Sequence, residues 1–188
     1  MLNKKFPIFV AFLVLLISMA CMINIGGPDY PNNPIPVSTE ALMSMKEQIQ
    51  KAVIDGSQSG QITLFITESQ LTSFFASKLE SQENPFLTQP QAYLKNGQIQ
   101  IFGTVINGFF EATVSVIMTA SIDPDGKLLL ELSSADFGPL PVPDSLKEII
   151  TSLVTEAYTG SLGPIATGFN LESVIIANGA MMIVGRIK

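Results

Sequence analysis

Residues 91–134 constrain this chain most, because they read as a meander of antiparallel strands. Asn96-Gly97 and Asn107-Gly108 separate the first three runs, and Asp123-Pro124-Asp125-Gly126 separates the last two. Asn-Gly and Asp-Gly flanked by alternating apolar residues are the strongest short-range hairpin signal. In the third run, residues 109–122, Phe110, Ala112, Val114, Val116, Met118, Ala120 and Ile122 share one side. Glu111, Thr113, Ser115, Thr119 and Ser121 share the other, with Phe109 and Ile117 as exceptions. At ~3.4 Å per residue such a strand reaches roughly 45 Å, well beyond the usual ~5–6 residues. A long sheet with one apolar face requires something to wrap.

The elements on either side supply it. Residues 38–53 predict a helix capped by Ser38 or Thr39, with Leu42, Met45, Ile49 and Val53 on one side. Residues 55–60 are expected to form a loop. Residues 61–67 predict a strand that runs into a second helix, residues 67–79. There Thr67 and Gln70 have capping-box spacing, and Leu71, Phe74, Phe75 and Leu79 form a stripe. A polar loop over residues 81–90 leads into the meander. Within the second run Gly103 suggests a bulge or bend. Leu128, Leu130 and Leu132 continue the apolar face. Phe102, Ile106, Phe109, Ile117 and Leu129 lie opposite, where together they would make an exposed patch.

Three prolines in residues 137–143 break the sheet. A third helix, residues 145–158, carries a broad apolar face that includes Leu153 and Val154. A last hairpin, residues 171–187, turns at Asn178-Gly179. The expected fold class is therefore α+β: one domain in which a long, curved antiparallel meander wraps amphipathic helices.

The N-terminus is a targeting segment. Lys4 and Lys5 precede an apolar run from Phe6 to Ala20, and Cys21 follows. Three readings stay open. Cys21 is the lipidated residue of a bacterial lipoprotein, with Ser18-Met19-Ala20-Cys21 as a lipobox that has Ser where Leu is usual. Alternatively, residues 6–25 are an uncleaved anchor, about the ~20 residues needed to span a bilayer, or cleavage after Ala20 frees the protein. All three place the domain outside the cytoplasmic membrane, with residues 1–25 as the membrane attachment in the first two. Residues 26–37, with Pro28, Pro31, Pro34 and Pro36, read as an extended spacer between that segment and a single domain, residues 38–188.

Charge and residue usage narrow the function. The formal net charge is −6, or about −8 once Lys4 and Lys5 are set aside, which argues against nucleic acid as a partner. There is no His and a single Cys, so the chain offers neither an internal disulfide nor the usual nitrogen ligands of transition metals. Asp123/Asp125 and Asp144/Glu148 read as a turn and a helix cap rather than acid–base pairs. Gly160-x-x-Gly163 lacks the lysine and preceding strand of a phosphate loop. No nucleophile has a base placed beside it in the sequence, so the expectation is a protein that is not an enzyme and carries no cofactor or metal.

The phrase "ITLFITESQLTSFF", the break "SADFGPLPVPDSL" and the closing "LESVIIANGAMMIVGRI", in this order after a spacer, resemble small bacterial membrane-anchored proteins of the YpmS-like and LmeA-like kind. Those are relatives of the tubular lipid-binding (TULIP) superfamily, and the resemblance covers about residues 40–188. It implies half of a TULIP-like fold, with an elongated apolar groove for acyl chains. It carries over no individual functional residue.

The two functions to weigh are a binding protein for lipid or another hydrophobic ligand, and an envelope scaffold with a solid core whose partner site is the outer-face group above. For the first, the candidate lining is Phe74, Phe75, Val114, Val116, Met118, Leu130, Leu153 and Val154.

Overall fold

A computed structural model describes residues 23–81, 87–107, 110–139, 165 and 168–188. The chain is α+β. In order it forms β1 (Ile23–Asn24), α1 (Thr39–Ser59), β2 (Gln61–Thr67), α2 (Glu68–Glu80), β3 (Leu87–Lys95), β4 (Gln98–Asn107), β5 (Phe110–Ile122), β6 (Leu128–Asp136), β7 (Phe169–Ala177) and β8 (Ala180–Ile187).

The expected meander is present: β3, β4, β5 and β6 pair in sequence, all antiparallel. Asn96 and Gly97 take φ of 56° and 76°, and Asn178 and Gly179 take 52° and 77°. A two-residue turn that matches the right-handed twist of its strands requires positive φ at both positions, and Asn-Gly adopts this at least cost. Short β1 joins the same sheet in parallel, beside the start of β5. Thus β1 and β6 share one edge of β5, at opposite ends. A second sheet has the order β2-β8-β7, so the strand before α2 is completed by the last strand of the chain.

Local signals place both helices. The Ser38 hydroxyl accepts from the Ala41 N–H at the start of α1, and Glu40 lies in the first turn. Thr67 and Gln70 close the capping box of α2. Gln70 also donates to the Ser44 hydroxyl, tying α2 to α1. The first helix runs six residues beyond its predicted end at Val53, so the loop expected over residues 55–60 is helix up to Ser59. Gly56 is no breaker here. It lies in the helix where the Phe169 ring approaches, and a β-carbon there would sit 2.9 Å from the ring. The stop is Gly60, at φ 80°, whose N–H bonds the Gly56 carbonyl.

One continuous core unites the layers. Ile62, Leu64 and Ile66 of β2, Met45 and Ile49 of α1, Leu71, Phe74 and Phe75 of α2, and Val114, Val116 and Met118 of β5 all belong to it. The apolar face read along β5 is therefore buried from Ala112 to Met118, although Ser115 on the opposite face is buried as well. Burial weakens at the ends: Ala120 and Ile122 are half-buried, and Phe110, the first residue of the strand, is exposed. Leu128 is buried, but Leu132 is exposed on β6, an outer strand of the meander whose register shifts opposite Ile117/Met118.

The bulge expected at Gly103 is elsewhere. Strand β4 pairs with β5 without a break through Gly103↔Val114, and the irregularity lies in β3 between Thr88 and Gln91. Gly103 instead makes room for the Leu87 side chain, whose Cδ1 would be 2.5 Å from a β-carbon at that position. Residues 87–90, expected as loop, already belong to β3. Pro90 is tolerated because β3 is an outer strand with a bulge at that point. The third predicted helix, residues 145–158, lies outside the described residues.

Candidate functional site

The outer edge of β3 would expose a row of unpaired backbone groups, a template for unwanted strand pairing. Here α2 and the β7–β8 turn close it. The Thr72 hydroxyl accepts from the Ala92 N–H at 3.0 Å and donates to the Ala92 carbonyl at 3.4 Å. The Leu94 N–H donates to Glu68 Oε1 at 2.7 Å, and the Leu94 carbonyl accepts from the Gly179 N–H at 3.0 Å. Thr72 is completely buried, which is consistent with its hydroxyl being spent on the sheet rather than on solvent.

Closure by the helix stops where the bulge begins. Gln89 adopts φ 50°, a left-handed conformation that costs a residue with a side chain about 1–2 kcal/mol. From there the edge is covered by residues 30–37, the proline-rich segment. Tyr30 Oη donates to the Gln89 carbonyl at 2.7 Å, and Tyr93 Oη donates to the Asn33 carbonyl at 3.0 Å. Gln91 engages both backbone groups of Ile35: its Oε1 accepts from the N–H, and its Nε2 donates to the carbonyl at 3.2 Å. The Ser38 N–H then donates to Ser73 Oγ on α2. The segment is extended, as its prolines dictate, and it is fastened to the domain along its length.

Between that segment, the C-terminal turn of α2 and the start of β3 lies a groove of about 580 Å³. Its walls are Tyr30, Pro34 and Val37 on one side, Ala76, Leu79 and Glu80 on a second, and residues 87–91 on the third. Ala76 and Leu79 are buried, so this part of the lining belongs to the core; Val37 is exposed at the rim. The volume falls within the ~300–1,000 Å³ typical of small-molecule sites, and mostly apolar walls with few polar groups are their usual character.

The polar lining is largely committed to the protein itself. Tyr30, Gln91 and Thr88 each bond a backbone carbonyl, of Gln89, Ile35 and Thr104 respectively. Burial raises the Tyr30 pKa above its ordinary 10.0; nearby Tyr93 adds to the rise, and a hydrogen bond with Gln91 opposes it. Burial likewise raises Tyr93, with the Glu68 carboxylate contributing. Both phenols are therefore neutral donors at physiological pH.

No family model and no curated protein matches this chain. Among solved structures it aligns with the crystal structure of a lipopolysaccharide binding protein. The identity is 12% over 79% of this chain and 46% of that one, at a TM-score of 0.23. This chain thus spans less than half the length of that protein, and a superposition this loose carries no argument.

The lining expected from sequence lies mainly in the core. Phe74, Phe75, Val114, Val116 and Met118 are all buried in the central cluster, and half-buried Leu130 packs against it. None of these six lines the groove. Leu153, Val154 and Cys21 lie outside the described residues. The described members of the outer-face group are spread along the meander rather than gathered in one place. Ile106 pairs opposite Glu111 and Leu129 opposite Ser121, ten residues apart along β5 and hence roughly 34 Å. Ile106 and Leu129 are exposed, Ile117 is half-buried, and Phe102 is half-buried edge-on against Tyr93 at 5.9 Å between ring centroids. Phe109 lies outside the described residues.

Sequence reasoning missed Tyr30, Leu79, Leu87, Gln89 and Gln91 as site residues. One signal was available: Tyr30 and Val37 are large apolar side chains in a segment that, as a mere spacer, has no use for them.

Proposed function

We propose that this protein is a non-catalytic binding protein for a lipid or another hydrophobic ligand, held outside the cytoplasmic membrane by residues 1–25. The observation that carries the reading is the groove floored by Ala76 and Leu79, whose Tyr30, Thr88 and Gln91 polar groups are already bonded to the protein. A site of this kind gains affinity from apolar area, about 0.8 kcal/mol per methylene removed from water. The resemblance to tubular lipid-binding relatives agrees with this reading. Among the described residues there is no group of three or more carboxylates or cysteines able to hold a metal ion. No described helix is long and apolar enough to cross a membrane.

The test is photo-labelling of the full chain in lipid nanodiscs with a diazirine-bearing long-chain alcohol, followed by peptide mass spectrometry. Labels are expected on the peptides carrying Leu79 and Leu87, and Leu87→Asp is expected to remove them. Labelling confined to residues 1–25 would overturn the proposal.

A further inference from the structure

The groove is not neutral in what it presents to a ligand's head. With Tyr30, Thr88 and Gln91 bonded to backbone partners, the polar side chains that remain among the described lining residues are the Gln89 amide and the Glu80 carboxylate. Among the described residues, no lysine or arginine lines it. Glu80 is exposed and is the last residue of α2, so it stands where the carbonyl ends of the helix already give a negative potential. The nearest basic residue on that helix, Lys78, lies over the Phe74 ring, 5.9 Å from its centroid, and is not part of the lining. An apolar chain bearing a carboxylate or phosphate at this mouth would meet like charge, with no cation among the described lining residues to receive it.

We propose that the occupant is a single-chain amphiphile with a cationic amine head, its alkyl chain over Leu79 and Leu87 and its ammonium at Glu80. This rests on the hydrophobic-ligand reading above and adds the chemistry of the head. Glu80 is then the specificity-determining residue. Attraction at an exposed carboxylate is worth up to about fivefold in affinity, and repulsion of an anionic head is of similar size.

The experiment uses the full chain in phosphatidylcholine nanodiscs at 0.15 M salt, where charges beyond ~8 Å are largely screened. Three diazirine alkyl probes of equal length end in an amine, a carboxylate or a hydroxyl. The measured quantity is the amine-to-carboxylate ratio of labelling at Leu79 and Leu87, compared between variants so that partition of each probe into the lipid cancels. Glu80→Gln is expected to lower that ratio by about 2- to 25-fold, and Glu80→Lys to lower it further, with labelling by the hydroxyl probe unchanged. Glu131→Gln, on strand β6 at the far side of the meander, is expected to leave the ratio as in the wild type. An equal ratio in wild type and Glu80→Gln, with the hydroxyl probe still labelling the groove, overturns the cationic head alone. Failure of the hydroxyl probe to label the wild-type groove overturns the binding reading and this one with it.

Discussion

The side-chain amide of Gln91 closes two hydrogen bonds with the backbone of Ile35, one to its N–H and one to its carbonyl. A single buried residue thereby does for the N-terminal segment what a neighbouring strand would do, and it positions Pro34 and Val37 as a wall of the groove. Gln91→Leu keeps the size and removes both bonds. It is expected to cost about 1–3 kcal/mol of stability. Hydrogen exchange is expected to accelerate at residues 30–37 and not in β4 or β5. Unchanged exchange in that segment would mean that the prolines alone hold it in place.

The tyrosine clamp is expected to be sensitive to alkali. Tyr30 and Tyr93 have folded pKa values raised above 10.0, so the fold favours their neutral forms. The stability they contribute is complete below pH 10 and is lost as pH rises through the raised values. Ionised phenols also cannot donate to the Gln89 and Asn33 carbonyls. Ultraviolet titration in the folded protein is expected to show two tyrosines ionising later than a model phenol, and protection of residues 30–37 to fall over the same interval. Tyr30→Phe is expected to remove one late step. Loss of protection already at pH 8 would contradict the assignment.

Space in the groove is controlled from beneath. Gly103→Ala introduces a methyl 2.5 Å from Leu87 Cδ1, and Leu87 is a flexible side chain that lines the groove. The side chain is expected to move into the open volume, with about 1–3 kcal/mol lost to overpacking. Labelling by the hydroxyl probe is expected to drop several-fold. A stable variant that labels like the wild type would show that Leu87 turns away from the groove.

Two glycines are expected to respond differently to the same change. Gly60 has φ 80° and open space around it, so Gly60→Ala is expected to cost only the left-handed penalty, about 1–2 kcal/mol. Gly138 has φ 58° and its β-carbon would lie 2.7 Å from Gly27 Cα, where two glycine-proline corners cross. Gly138→Ala adds a backbone clash to the same strain and is expected to cost about 2–4 kcal/mol. Chemical denaturation measures both, and equal losses would place the corners further apart than the structure has them.

What the sequence revealed and what it hid divide along physical lines. Asn96-Gly97 and Asn178-Gly179 announce their turns because few other dipeptides accept positive φ twice, and Thr67 with Gln70 announces a helix start because both halves of the box are local. The alternation of β5 says that Val114, Val116 and Met118 are buried, and they are. It cannot say whether they are buried against protein alone or against protein and a ligand. Beyond the presence of Tyr30 and Val37 in a spacer, the Tyr30, Asn33 and Ile35 contacts left no periodic pattern. They join side chains to backbone across more than fifty residues, and such bonds impose no periodicity on either partner. Gly56 and Pro90 misled for a related reason: each is a local breaker whose effect is overridden, one by the Phe169 ring and the other by its place on an outer strand.

The pairing of β2 with β8 has a consequence for how the chain is made. Strand β2 carries three of the most deeply buried residues, Ile62, Leu64 and Ile66, yet its only strand partner among the described residues is β8, more than a hundred residues later. During synthesis these side chains leave the ribosome long before the partner that orders them. Non-local pairing of this sort is slow and exposes apolar surface while it waits. Helix α1, which precedes β2 and packs on it, is therefore the element available to shield that strand in the nascent protein.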